Sequence, residues 1–155
     1  MKDNASYNHV TILVAEDDDG HAVLIQDLLE DVGVRNPVIR FRDGQEVLDY
    51  LGIDKESQLE SGGRYLLLLD IRMPRVDGVE VLRRMKADAR LRDIPVVMLT
   101  TTDDPREVQN CYQAGCSFYI TKPVEFTRFA SVLRQVGLFL LVVKLPVVQD
   151  ADPGK

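Results

Sequence analysis

A chain of 155 residues with 45% hydrophobic content is long enough for one full core and not for two. Its net charge of -6 and pI near 4.9 exclude nonspecific attraction to nucleic acid or anionic membranes, and no apolar run is long enough to span a bilayer. Met1–Asn8 is polar with no secretory signal, and Cys111 and Cys116 lack metal-site spacing, so reduced thiols in a cytoplasmic protein are expected.

Val10 to Ala15 reads as a β-branched, apolar strand that ends in Glu16-Asp17-Asp18-Asp19-Gly20. His21 to Val32 follows as a helix whose stripe is Leu24, Ile25, Leu28, Leu29 and Val32, with acids at the positive end of its dipole and Gly33 as its stop. Pro37 to Phe41 is a short strand near a sheet edge, because Pro37 opens it. Asp43-Gly44-Gln45-Glu46 has the spacing of a capping box, and Val47, Leu48 and Leu51 form the buried stripe behind it. The stretch from Gly52 to Arg64 lacks a period and reads as a surface loop.

Tyr65 to Leu69 is a continuous apolar run, as expected of a central parallel strand, and it ends on Asp70. Met73-Pro74 breaks regular structure, and Asp77-Gly78 starts a helix marked by Val79, Val81, Leu82 and Met85. Ile94 to Leu99 is a fourth buried strand, followed by Thr100-Thr101-Thr102. Asp104-Pro105-Arg106-Glu107 has the N-cap, first-turn proline and reciprocal acid of a helix start, with Val108, Cys111 and Tyr112 on the inner side. Ser117 to Ile120 is a fifth strand, then Thr121-Lys122-Pro123, and a last helix runs from about Glu125 into the 140s.

This β-α alternation, five times over, implies right-handed crossovers and helices on both faces of a parallel sheet. The expected fold is a doubly wound, flavodoxin-like (βα)5 three-layer α/β sandwich with strand order 2-1-3-4-5. Residues 1–146 form one domain with an extended C-terminal helix, and 147–155 is a tail expected to be disordered.

In such a sheet the first and third strands are neighbours, and the ligand crevice lies beside their C-terminal ends. There the chain offers Glu16, Asp17, Asp70, Thr100 and Lys122. A lone Asp after a strand more often caps a turn, and each of the others has an equally plain reading. Together they are a different matter. Two carboxylates about 4 Å apart repel by about 4 kcal/mol at an effective dielectric near 20. Lys122 and a hard cation such as magnesium would offset this. A metal, a carboxylate, a hydroxyl and an ammonium at one point suit phosphoryl chemistry, with Asp70 attacking phosphorus to form an acyl phosphate.

The motifs Ile12-Leu13-Val14-Ala15-Glu16-Asp17-Asp18, Leu69-Asp70-Ile71-Arg72-Met73-Pro74 with Asp77-Gly78, Val97-Met98-Leu99-Thr100-Thr101, and Tyr119-Ile120-Thr121-Lys122-Pro123 resemble bacterial two-component response-regulator receiver domains over about Val10 to Gly137. The resemblance implies that Asp70 is the phosphoacceptor. It also implies that Asp17, Asp70 and the Arg72 backbone carbonyl bind magnesium, with Glu16 acting largely through water. Thr100 and Lys122 would contact the phosphoryl group, Tyr119 would be an aromatic switch, and Lys122-Pro123 would carry a cis peptide. Arg72 stands at a variable position, where its cation would pair with Glu16 or shield the phosphoryl group.

Phe126, Phe129, Leu133, Val136 and Leu140 supply the stripe that the last helix needs, while Leu138, Phe139, Leu141, Val142 and Val143 add apolar surface on other sides. A homodimer through this region is the expected cover, with folding back onto the same domain as the alternative. The acidic run with Gly20-His21, Arg42-Asp43-Gly44 and Val142-Val143-Lys144-Leu145-Pro146 resemble stand-alone regulators paired with phytochrome-type histidine kinases. This implies a sensor histidine kinase, a phytochrome among the candidates, as phosphodonor, and a protein contact, relay or sink as output. An aspartyl-phosphate phosphohydrolase is the enzymatic alternative; it wants an acid two residues after the nucleophile, where Arg72 stands. A flavodoxin-like cofactor binder would need a phosphate-binding loop after the first strand, and an acidic one is there instead.

Overall fold

The structure is a computed structural model that describes residues 10–101, 104–122 and 125–142. Its elements are β1 (Val10–Ala15), α1 (Asp19–Asp31), β2 (Val38–Phe41), α2 (Gly44–Leu51), β3 (Arg64–Asp70), α3 (Gly78–Lys86), β4 (Val96–Thr100), α4 (Pro105–Gln113), β5 (Phe118–Thr121) and α5 (Phe126–Val142). All pairings are parallel and the sheet order is β2-β1-β3-β4-β5, as the alternation predicts.

The period of two along each strand divides the interior into two layers. Leu13, Ala15, Leu67, Leu69 and Met98 meet α2, α3 and α4 through Val47, Leu48, Leu51, Val81, Leu82, Met85 and Cys111. Val10, Ile12, Val14, Leu66, Leu68 and Leu99 meet α1 and α5 through Ile25, Leu28, Leu29, Phe129 and Val132. The central strands are therefore apolar on both faces, which is why Leu66-Leu67-Leu68-Leu69 has no polar alternation.

Helix starts follow local chemistry. Asp18, Asp43 and Asp77 each accept from the backbone N–H three residues on, at 2.8–2.9 Å. Glu46 reaches back as expected of a capping box, but to the N–H of Arg42 at 2.8 Å, one residue before the cap. Asp104 caps α4 by accepting from Arg106 N at 2.9 Å, with Pro105 in the first turn. Glu107, the acid of this helix start, pairs with Arg72 at 3.5 Å.

Three inner-face expectations need correction. Leu24 is 42% exposed, Tyr112 49% exposed, and Phe126, at the start of α5, 49% exposed, so the inner face of α5 begins at Phe129. The contiguous stripe of α1 is Ile25, Leu28 and Leu29 with Val32 at its edge, so Leu24 lies one helical step outside it. On α4, Val108 and Cys111 occupy the inner face, and Tyr112 stays at the surface. Both cysteines are free and buried. The peptide at Pro123, the tail 147–155, and the side chains of Leu133 and of 136–143 lie outside the described residues. Among the described residues no helix is long and apolar enough to cross a membrane.

Candidate functional site

Sheet register builds the site. Ala15 pairs with Leu69, so the next step sets Glu16 beside Asp70 at the carboxyl ends of β1 and β3. Asp70 in turn pairs with Leu99, and Thr100 with Thr121, which brings Thr100 and Lys122 to the same end. Glu16, Asp70, Thr100 and Lys122 are all buried, although each is polar or charged. That concentration of buried polarity at one sheet end is uncommon in a core and marks a functional centre.

The Lys122 ammonium has three donors and three acceptors around it. It donates to Glu16 Oε1, to Asp70 Oδ2 at 3.3 Å and to His21 Nδ1 at 3.3 Å. Glu16 Oε2 also accepts from the Asp18 N–H at 3.1 Å, and Asp70 Oδ1 from the Arg72 N–H at 3.4 Å. Burial pushes the Asp70 carboxyl up to about 6, with Lys122 pulling it down and Glu16 pushing it further up.

The loop after β3 is held by close backbone approach. A Cβ on Gly78 would stand 2.2 Å from the Asp70 carbonyl oxygen, and one on Gly44 would stand 1.9 Å from that of Val76. Between them Arg75 adopts φ +70°, and its guanidinium donates to Asp43 at 3.2 Å. Only glycine fits at either end of this segment, so the Asp77-Gly78 pair is a packing requirement as well as a helix start.

Glu16, Asp17 and Asp70 each bring one carboxylate oxygen within 4.8 Å of the others, with Asp17 exposed. Three carboxylates against one ammonium leave two negative charges over. Oxygen-only donors with that surplus fit a hard divalent cation of magnesium type, which binds through one or two carboxylates and keeps its waters. Glu16 is already engaged by Lys122 and the Asp18 N–H, which suits contact through water better than direct ligation.

The model of the response regulator receiver domain family matches residues 12–134. The chain belongs to this family. It is 38% identical over 133 residues to a probable methanogenesis regulatory protein, FilR2, of Methanothrix harundinacea (strain 6Ac), covering 84% of this chain and 83% of that one. A response regulator receiver domain from Rhodospirillum rubrum superposes with a TM-score of 0.77 at 44% identity, covering 90% of this chain and 99% of the other. The phosphorylated cyanobacterial phytochrome response regulator RcpA gives a TM-score of 0.73 at 33% identity, with 89% and 99% covered. The receiver fold and the likeness to phytochrome response regulators thus agree with what the motifs imply.

Of the residues singled out in the sequence, Glu16, Asp17, Asp70 and Lys122 come together. Thr100 is buried at the adjoining strand end. Tyr119 is buried on β5, paired in register with Met98 and packed in the α2–α4 layer. Of the two roles expected for Arg72, pairing with Glu16 is not seen: its guanidinium pairs with Glu107 of α4 at 3.5 Å, and Lys122 holds the Glu16 carboxylate. Two contributors were missed. His21 touches Lys122 from the first turn of α1, and Arg40 at the end of β2 grips the acidic loop. For His21 the clue was its place four residues after Asp17; for Arg40 it was a cation in a short strand beside β1.

Proposed function

We propose that this receiver domain accepts a phosphoryl group on Asp70 from the phosphohistidine of a sensor kinase, in the presence of magnesium, and signals through protein contacts. The observation that carries this reading is Asp70 buried at a strand end, 3.3 Å from the Lys122 ammonium and clustered with the oxygens of Glu16 and Asp17. Asp70 forms the new P–O bond as the donor's P–N bond breaks, and the released imidazole takes up a proton. Lys122 moves from the Asp70 carboxylate to a phosphoryl oxygen, and the Thr100 hydroxyl donates to another. Asp17, Asp70 and the Arg72 backbone carbonyl would hold magnesium, with Glu16 acting through water, and the ion would supply charge neutralisation at the phosphoryl oxygens.

Output follows from the neighbours of Thr100. Tyr119 lies two register steps back on β5, so a shift of Thr100 toward the phosphoryl group changes its packing and the adjoining surface of α4. The solved structures named for phytochrome response regulators favour a phytochrome-type kinase as donor; a cytoplasmic setting and a homodimer through the C-terminal helix region complete the proposal. Intact-mass measurement after treatment with acetyl phosphate and magnesium tests the acceptor step. One labile phosphoryl group on the wild type and none on Asp70→Asn is expected; multiple turnover of phosphate esters would instead support an enzyme.

A further inference from the structure

We infer that Arg40 is the positioning residue of the acidic loop, fixing from the neighbouring strand the direction in which Glu16 and Asp17 leave β1. This rests on the magnesium reading above. The Glu16 N–H donates to the Phe41 carbonyl at 3.0 Å, the last rung between β1 and β2. There β2 ends, while Glu16 is fully buried and its own carbonyl needs a partner. Arg40 supplies it from the side chain: Nε donates to the Glu16 carbonyl at 3.1 Å and Nη2 to the same oxygen at 2.8 Å. Its remaining arm, Nη1, donates to Asp19 Oδ1 at 2.7 Å. One planar guanidinium thus ties both ends of the segment Glu16-Asp17-Asp18-Asp19, with Asp17 between the two ties.

A fork of this kind is beyond lysine, whose ammonium is a single point on a flexible stem. Arg42 makes a useful contrast. It meets Asp19 Oδ1 at 2.7 Å as well, and its side chain is 62% exposed against 24% for Arg40. Both cations neutralise Asp19, but of the two only Arg40 holds the Glu16 backbone. Charge and geometry can therefore be separated by substitution.

The test is titration of the whole chain with Mn2+, read by the loss of the free-ion electron paramagnetic resonance signal, without any phosphodonor. Groups that orient metal ligands typically cost 10–100-fold in affinity when lost, so Arg40→Lys, which preserves charge, is expected to raise the Kd about tenfold. Arg42→Met removes a charge that solvent already screens and is expected to leave the Kd within about twofold. Thermal melts establish that each variant is folded; should Arg40→Lys melt below the assay temperature, Arg40→Gln is set against Arg42→Met, each losing one charge beside Asp19, and the larger loss is expected in Arg40→Gln. An unchanged Kd in the Arg40 variant, or an equal loss in Arg42→Met, overturns the inference while leaving the magnesium site standing. A wild type that binds no Mn2+ overturns both.

Discussion

Replacing the proposed phosphoacceptor should make the protein more stable. The Asp70 carboxyl is raised from 3.8 to about 6, chiefly by burial, with Glu16 adding to the rise and Lys122 opposing it. A raised carboxyl pKa means that the folded state holds this proton more tightly than the unfolded state. Its stabilisation is fully present below about pH 4 and is lost as pH rises through about 6. The gap between those values corresponds to on the order of 2–3 kcal/mol. Asp70→Asn carries no charge at any pH and escapes that loss. In EDTA at pH 7 the variant is expected to melt about 5–10 °C above the wild type, which is what this free energy gives for a chain of such size. The difference should shrink toward pH 4, and magnesium at pH 7 should narrow it by binding the wild type. Circular-dichroism melts between pH 4 and 7 make the comparison. A variant less stable than the wild type at pH 7 in EDTA, or an advantage flat across this range, would refute the reasoning.

Gly78→Ala pushes a methyl group to 2.2 Å from the Asp70 carbonyl, where side-chain carbons essentially never come within 3.0 Å. A loss of about 1–3 kcal/mol in urea unfolding is expected, together with slower phosphorylation; a neutral substitution would show that the loop after β3 yields freely. The Cys116 thiol is pushed up to about 12 by burial, so it stays protonated and sheltered in the folded protein. Prompt labelling by a disulfide reagent at pH 8 is expected only after unfolding, and native-state labelling would contradict the packing. Because this thiol's pKa is raised on folding, its contribution is present below its ordinary value of 9.0 and is lost as pH rises toward 12. Arg72 is 67% exposed, so breaking its pair with Glu107 by Arg72→Ala should change stability by less than about 1 kcal/mol. The same substitution is expected to shorten the acyl-phosphate half-life by removing a cation that slows attack by water, and a half-life unchanged or longer would refute that shielding role.

Elements and sheet order were legible because local chemistry dictates them. Asp18, Asp43, Asp77 and Asp104 cap the helices that follow them, and the unbroken apolar runs are the strands buried on both faces. The site was legible where it is made of strand ends, since fold class alone fixes which ends adjoin. Less visible were partners chosen by side-chain reach. The clues at Arg40 and His21 give their places beside the acidic loop, but not that the Arg40 guanidinium caps a carbonyl 24 residues earlier or that Lys122, 101 residues later, meets the His21 ring. Arg72 shows the same limit from the other direction. Its place two residues after Asp70 suggested a partner inside the site, but Lys122 holds Glu16, and Arg72 pairs instead with Glu107 on α4.

The central claim is that the phosphoryl group resides on Asp70, and borohydride trapping tests it most directly. Borohydride reduces an acyl phosphate to an alcohol, converting the modified aspartate to homoserine. Trypsin then releases residues 65–72, in which Asp70 is the single acidic residue. Homoserine at position 70, formed only after treatment with phosphodonor and magnesium, is the predicted result. Homoserine at Asp17 instead, or a phosphorylated protein that borohydride leaves unchanged, would contradict it.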